Sequence, residues 1–123
     1  MIDMKVRIVV TLQVQGLHKW PDAINFPEVA FLADLHRHVF HITCKKEVSH
    51  CDREIEIIMF KNKIIKYLNE KYTTEWRTVF DANTLEFGDI SCEDIAKDLL
   101  DVFGLEYCSV LEDNENGAEI IKI

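Results

Sequence analysis

Residues 35–42 carry two histidines, His36 and His38, separated by one residue. Side chains in a β-strand alternate between its two faces, so both histidines are expected on one face and Arg37 on the other. Two imidazoles on one strand supply two ligands of a three-histidine zinc site, whose fourth position stays open for water or substrate. His18, which follows an earlier alternating segment, is the predicted third ligand. The same spacing also suits two hydrogen-bonded histidines without a metal, and spacing alone does not separate the two interpretations.

The composition is typical of one ordinary globular domain, to which we assign residues 1–123. A formal net charge of -8 argues against binding to a nucleic-acid backbone. No apolar run approaches the length of a membrane span, and residues 1–14 lack the features of a signal peptide. We therefore expect a cytoplasmic protein with no membrane partner, whose four cysteines are reduced thiols.

The first half of the chain alternates in two places. Residues 4–14 have apolar side chains on one side and mostly polar ones on the other, which predicts a half-buried strand that Gly16 ends. Residues 19–33 contain both prolines of the chain and are predicted to be a long loop beside the metal. Residues 36–47 alternate again and are the second predicted strand.

The second half changes to helical spacing. Residues 58–72 carry an apolar stripe at intervals of three and four, and residues 54–57 either finish a strand or start this helix. Ser91 is a predicted N-cap with Asp94 as the acid of a capping box, and Gly104 ends the second helix. Two further strands are predicted at residues 107–111 and 118–123.

This order of elements, ββααββ, predicts an α+β fold. We expect an antiparallel four-stranded sheet with two helices packed on one of its faces.

The order of elements and the placement of the histidines resemble the 6-pyruvoyl-tetrahydropterin synthase and 6-carboxy-tetrahydropterin synthase family, which has the T-fold. His18 stands where that family has the histidine of A-A-H, and His36-Arg37-His38 stands for its L-H-G-H. Residues 54–61 are similar to V-I-D-F-x-x-L-K, residues 91–96 to P-T-S-E, and residues 109–112 to V-x-V-x-E.

The resemblance implies a function and a set of site residues. Zn²⁺ would be held by His18, His36 and His38, and Glu112 would anchor the ring of a pterin ligand similar to dihydroneopterin triphosphate. The implied activity is that of a lyase in queuosine or tetrahydrobiopterin metabolism. A homo-oligomer, either a trimer or a hexamer of two stacked trimers, is also implied.

The chain departs from the family where protons are moved. The family's catalytic cysteine is replaced by Leu32, and a glutamate used by one subgroup is replaced by Ala33. The family's L-D-H motif corresponds to Phe80-Asp81-Ala82, which leaves Asp81 as the candidate catalytic residue and Ala82 in place of the histidine. Such proton-transfer groups normally contribute about two to four orders of magnitude in rate.

Two hypotheses therefore remain open. The chain is either a divergent zinc-dependent enzyme of this type, or a non-catalytic T-fold protein. The latter would bind a purine- or pterin-like ligand, or serve as a structural or interaction subunit. The residues Leu32 and Ala82 favour the second hypothesis, and the retained histidines and Glu112 suit both.

Overall fold

All five strands of the described chain form a single sheet. The structure, a computed structural model, describes residues 3–73 and 84–123. The strands are β1 (Val6–His18), β2 (His36–Val48), β3 (Thr84–Gly88), β4 (Tyr107–Glu112) and β5 (Asn116–Ile121). The described ranges also contain two α-helices, α1 (Ile57–Lys71) and α2 (Cys92–Phe103), and two 3₁₀ helices, Pro21–Asn25 and Pro27–Ala33. The expected α+β class is confirmed.

The prediction of a four-stranded, wholly antiparallel sheet is wrong. The strand order is β3-β1-β2-β4-β5, and β3 pairs in parallel with β1. Leu85 and Phe87 of β3 are buried, but a five-residue strand offers too short an alternation to be separated from a loop in the sequence.

The pairing of β1 with β2 is the longest in the sheet. It runs from Val6 opposite Val48 to His18 opposite His36. The even-numbered residues of both strands share one face, as predicted, and both α-helices pack against that face. The buried core includes Val10, Leu12, Phe40, Ile42 and Cys44 from these strands, Phe60, Ile64 and Leu68 from α1, and Ile95, Ala96 and Leu99 from α2.

Both α-helices begin at a side-chain cap. Glu56 caps α1 by accepting hydrogen bonds from the N–H groups of Ile58 and Met59, so residues 54–57 lead into a helix. Ser91 and Asp94 form the predicted capping box of α2, and Gly104 ends this helix with a left-handed backbone (φ 61°). In the described ranges, neither helix is long or apolar enough to cross a membrane.

The predicted loop of residues 19–33 contains the two 3₁₀ helices, each of which begins at a proline. A proline suits the first turn because its fixed φ matches the helix and its missing N–H is not needed there. The loop returns to its start, since Trp20 N–H donates to the Leu32 carbonyl at 2.8 Å. This closure holds both residues beside the end of β1.

Gly16 does not end β1, contrary to the prediction, because the strand continues to His18. The glycine is a packing requirement. A Cβ at this position would lie 2.8 Å from Cε2 of Phe40 and closer still to the ring of Phe87. Both rings are buried, and they occupy the space that any side chain at Gly16 would need.

We predict that Gly16→Ala destabilises the protein by about 1–3 kcal/mol, the usual cost of overpacking a filled core. Chemical denaturation of both proteins measures the difference. Gln13→Ala is the control, because Gln13 is exposed on the opposite face of β1, and it should change the free energy of unfolding by less than about 0.5 kcal/mol. Equal effects of the two substitutions would contradict this role of Gly16.

Candidate metal centre and cavity

The three histidines predicted from the sequence lie together at one end of the sheet. His18 and His36 face each other across β1 and β2, and His38 is two residues further along the same face. One ring nitrogen from each lies within 4.8 Å of the other two. The rings of His18 and His38 rest edge-on against Phe40, so the cluster caps the apolar core. This geometry can hold a metal ion.

Two of the rings are oriented through their Nδ1 atoms. Nδ1 of His36 donates to the backbone carbonyl of Asp34 at 2.7 Å. Nδ1 of His38 lies 2.6 Å from a carboxylate oxygen of Asp113, whose other oxygen accepts from the N–H of Val39 at 3.0 Å. The hydrogen bond with His38 holds the pKa of Asp113 below its ordinary value. Metal-binding histidines commonly use their second nitrogen in this way, because it fixes the tautomer and the ring orientation.

The remaining nitrogens of two rings have no hydrogen-bond partner. Among the described residues, Nε2 of His18 and Nε2 of His38 are buried and unsatisfied. Burial lowers the pKa of His18, an effect that Glu112 opposes and the two other histidines reinforce. A neutral imidazole with an unused lone pair is the form that binds a metal. Three imidazoles suit zinc, copper, iron or nickel, so the donor set fits a transition-metal ion.

Glu112 faces the same cluster from β4. It is paired with Phe40 of β2, so its side chain shares the face of the histidines. One carboxylate oxygen, Oε2, is 2.9 Å from Nε2 of His38, and the other, Oε1, is 3.8 Å from Nε2 of His18. The thiol of Cys92 donates to Oε1 at 3.6 Å. Burial and the charge of Glu112 raise the pKa of Cys92 to about 12, so this thiol is protonated at neutral pH.

A cavity of about 480 Å³ opens beside the histidines. This is within the range of small-molecule sites, about 300–1,000 Å³. His18, His36, Glu112 and Cys92 contribute to its wall, together with Trp20 and Leu32 from the loop of residues 19–33. Leu32, which the resemblance aligns with a catalytic cysteine, is therefore a cavity residue, and it presents no group that moves protons.

Among the described residues, the nearby ionisable residues Asp34, His41 and His50 are not part of this cluster. Asp81 and Ala82 lie outside the described residues. His41 is paired with Gln13 on the opposite face of the sheet, and Nδ1 of His50 accepts from the N–H of Asp52 in an exposed turn. Asp34 contributes its backbone carbonyl, as described above, and its side chain is exposed.

Two residues near the cluster were not predicted as site residues. Asp113 occupies the hairpin turn between β4 and β5 with a positive φ of 55°, and its place in the sequence indicates only a turn. Its carboxylate reaches His38 only because β4 pairs with β2, a register that the separate strand patterns do not contain. Cys92 lies in the first turn of α2, and it reaches the cavity because this helix begins beside Glu112.

Comparisons with known proteins support the fold only. No family model and no curated protein matches this chain. The chain is similar in structure to the uncharacterized protein WS1659 from Wolinella succinogenes, with a TM-score of 0.67 and 12% sequence identity. The match covers 98% of this chain and 100% of the other.

We predict that Asp113→Asn weakens the binding of Co²⁺ by about 10- to 100-fold, as is typical when an outer-shell partner of a histidine ligand is removed. Asparagine tolerates the positive φ of this turn, so the hairpin is expected to be kept. Titration against a competing chelator measures the affinity. Glu115→Gln, in the same exposed turn, is the control and should bind Co²⁺ like the parent protein. Unchanged affinity of Asp113→Asn would exclude this role.

Proposed function

We propose that this chain is a zinc-binding T-fold protein, similar to the 6-pyruvoyl-tetrahydropterin synthase and 6-carboxy-tetrahydropterin synthase family. It binds or acts on a pterin- or purine-like molecule. The main support is the pair of buried, unsatisfied nitrogens on His18 and His38, with His36 within reach of the same ion, beside a cavity of suitable size. Three histidines with an open fourth position are typical of zinc sites that act on a ligand.

Different residues bind the two ends of the proposed ligand. The three histidines hold the metal, and zinc, when bound, supplies a Lewis acid for an oxygen of the ligand. Glu112 is in the cavity wall, where a carboxylate accepts parallel N–H hydrogen bonds from the edge of a pterin or guanine ring. Trp20 and Leu32 offer apolar contact on the loop side.

Of the two possibilities, binding or catalysis, the residues of the cavity favour a protein that binds its ligand without converting it. Leu32 presents no proton-transfer group, and the Cys92 thiol is protonated at neutral pH and so is a poor base and nucleophile. A lyase of the family's type is the second candidate. It is supported by the position of Cys92 in the cavity wall and by Asp81 in the sequence.

The charge of the cavity wall bears on whether the ligand carries a phosphate chain. The described residues that line it include three carboxylates, Asp89, Glu93 and Glu112, and a single cation, Lys19. A bound zinc ion offsets part of this negative charge. The carboxylates still repel a phosphate chain that lies against them, and they attract a ring that presents N–H donors. We therefore propose a ligand without a phosphate chain as the better fit. Assembly into a trimer or hexamer, as the resemblance implies, completes the proposal.

We predict about one bound zinc ion per chain in the purified protein, and loss of most of it in His36→Ala and in His38→Ala. Metal analysis by mass spectrometry after gel filtration gives the ratio. His41→Ala is the matched control, because it removes an imidazole from the same strand on the opposite face. Full zinc content in His36→Ala and His38→Ala would show that these histidines hold no metal.

We predict that the zinc-loaded protein binds neopterin more tightly than dihydroneopterin triphosphate, and that Glu112→Ala weakens neopterin binding. Calorimetry at low and high salt measures both affinities, since repulsion by the cavity carboxylates diminishes as salt screens it. Incubation with each compound, followed by chromatography, detects turnover. Tighter binding of the triphosphate, or product formation from it, would favour the lyase over the binding protein.

A further inference from the structure

His38 lies between two consecutive carboxylates. Asp113 is 2.6 Å from its Nδ1, and Glu112 is 2.9 Å from its Nε2. A neutral imidazole carries one N–H, so it can donate to only one of the two. The contact with Asp113 is a hydrogen bond, whereas Nε2 has no hydrogen-bond partner among the described residues. The lone pair of Nε2 then faces the lone pairs of a carboxylate.

Two lone pairs that face each other repel unless a proton or a metal ion lies between them. Glu112 approaches the unsatisfied Nε2 of His18 as well as that of His38, with a different oxygen toward each. A proton between Glu112 and His38 leaves Nε2 of His18 without a partner, whereas a metal ion satisfies both nitrogens and the carboxylate together.

One contact of Glu112 is close to the distance between two ligands of one ion. Donor atoms about 2.0–2.1 Å from a tetrahedral metal lie about 3.3 Å from one another. Oε2 of Glu112 is 2.9 Å from Nε2 of His38, and the approach to Nε2 of His18, at 3.8 Å, is made by the other oxygen, Oε1. The three histidine nitrogens form the mutually close set, and Glu112 joins it from the side of His38. Carboxylate oxygens are ordinary zinc ligands beside histidine nitrogens.

Glu112 is also held in place from outside the cluster. Its backbone lies in β4 opposite Phe40, a fully buried residue, so its side chain emerges at the level of the histidines. The thiol of Cys92 donates to Oε1, which leaves Oε2 directed to His38. The side chain is 30% exposed, so a molecule in the cavity can reach it.

We propose that Glu112 is the fourth protein ligand of the metal ion held by His18, His36 and His38, and that it closes the coordination shell while the cavity is empty. This inference rests on the metal site of the proposed function. It adds that ring binding and metal binding compete for one carboxylate. A ligand whose N–H groups hydrogen-bond to Glu112 draws this carboxylate away from the metal. The coordination position that Glu112 leaves is then open to an oxygen of the ligand.

The test uses the Co²⁺-loaded full chain, because the visible spectrum of Co²⁺ reports its ligands. We expect the parent spectrum to be unchanged by added azide, since no position is open to the anion. In Glu112→Gln the spectrum should differ from that of the parent and should shift further with azide. Its Co²⁺ affinity should fall by at least about tenfold, the loss seen even for outer-shell partners. Glu115→Gln, which removes an exposed carboxylate of the turn that follows β4 and lies outside the cavity wall, should behave like the parent.

An azide response in the parent protein would overturn the proposal, as would a parent-like spectrum in Glu112→Gln. The parent titration decides the question even where Glu112→Gln fails to fold. These results differ from a failure of the proposed function, in which the parent protein binds no metal or His36→Ala binds it equally well.

Discussion

The long antiparallel pairing of β1 with β2 is the constraint on which the rest of the site depends. It sets His18 opposite His36, and it keeps His38 on the face that also carries the core. A slip of one residue would turn His18 to the opposite face, away from the other two histidines. The register is fixed by the alternation of buried side chains along both strands, since a slip would also expose them to water. The apolar core and the metal centre are therefore specified by the same pattern.

The parts of the structure that follow from local periodicity can be predicted from the sequence. Alternation places His36 and His38 on one face, and the Ser91–Asp94 capping box and Gly104 fix both ends of α2, as the structure confirms. The missed features all depend on pairing between distant segments. β3 is too short to be distinguished by its own pattern and forms by pairing with β1. Gly16 looks like a strand end in the sequence. Glycine is required there because the rings of Phe40 and Phe87, which come from other segments of the chain, leave no space for a side chain. Asp113 looks like a turn residue for the same kind of reason.

Without a metal ion, the histidine cluster lowers the stability of the fold. It packs three imidazoles against the end of an apolar core and leaves buried nitrogens without partners, and each such atom costs about 1–3 kcal/mol. The surrounding groups orient the rings and leave these nitrogens unsatisfied. Nδ1 of His36 and of His38 is used, while Nε2 of His18 and of His38 stays free. A bound metal ion would offset that cost, and its binding free energy would add to the stability of the fold.

The position of Glu112 bears on whether such a site performs chemistry. A metal that acts on a substrate needs an open position, and a metal that only stabilises a fold has all its positions filled by the protein. Glu112 is near enough to the histidine nitrogens to fill the fourth position, yet its side chain is also part of the cavity wall. With a carboxylate in that place, the fourth coordination position opens only when another molecule binds the carboxylate of Glu112. In the proposed site, the same residue would select the ligand by its N–H groups and expose the metal to it. This coupling would keep a bound ion inert until a suitable ring binds, whether or not the bound molecule is then converted.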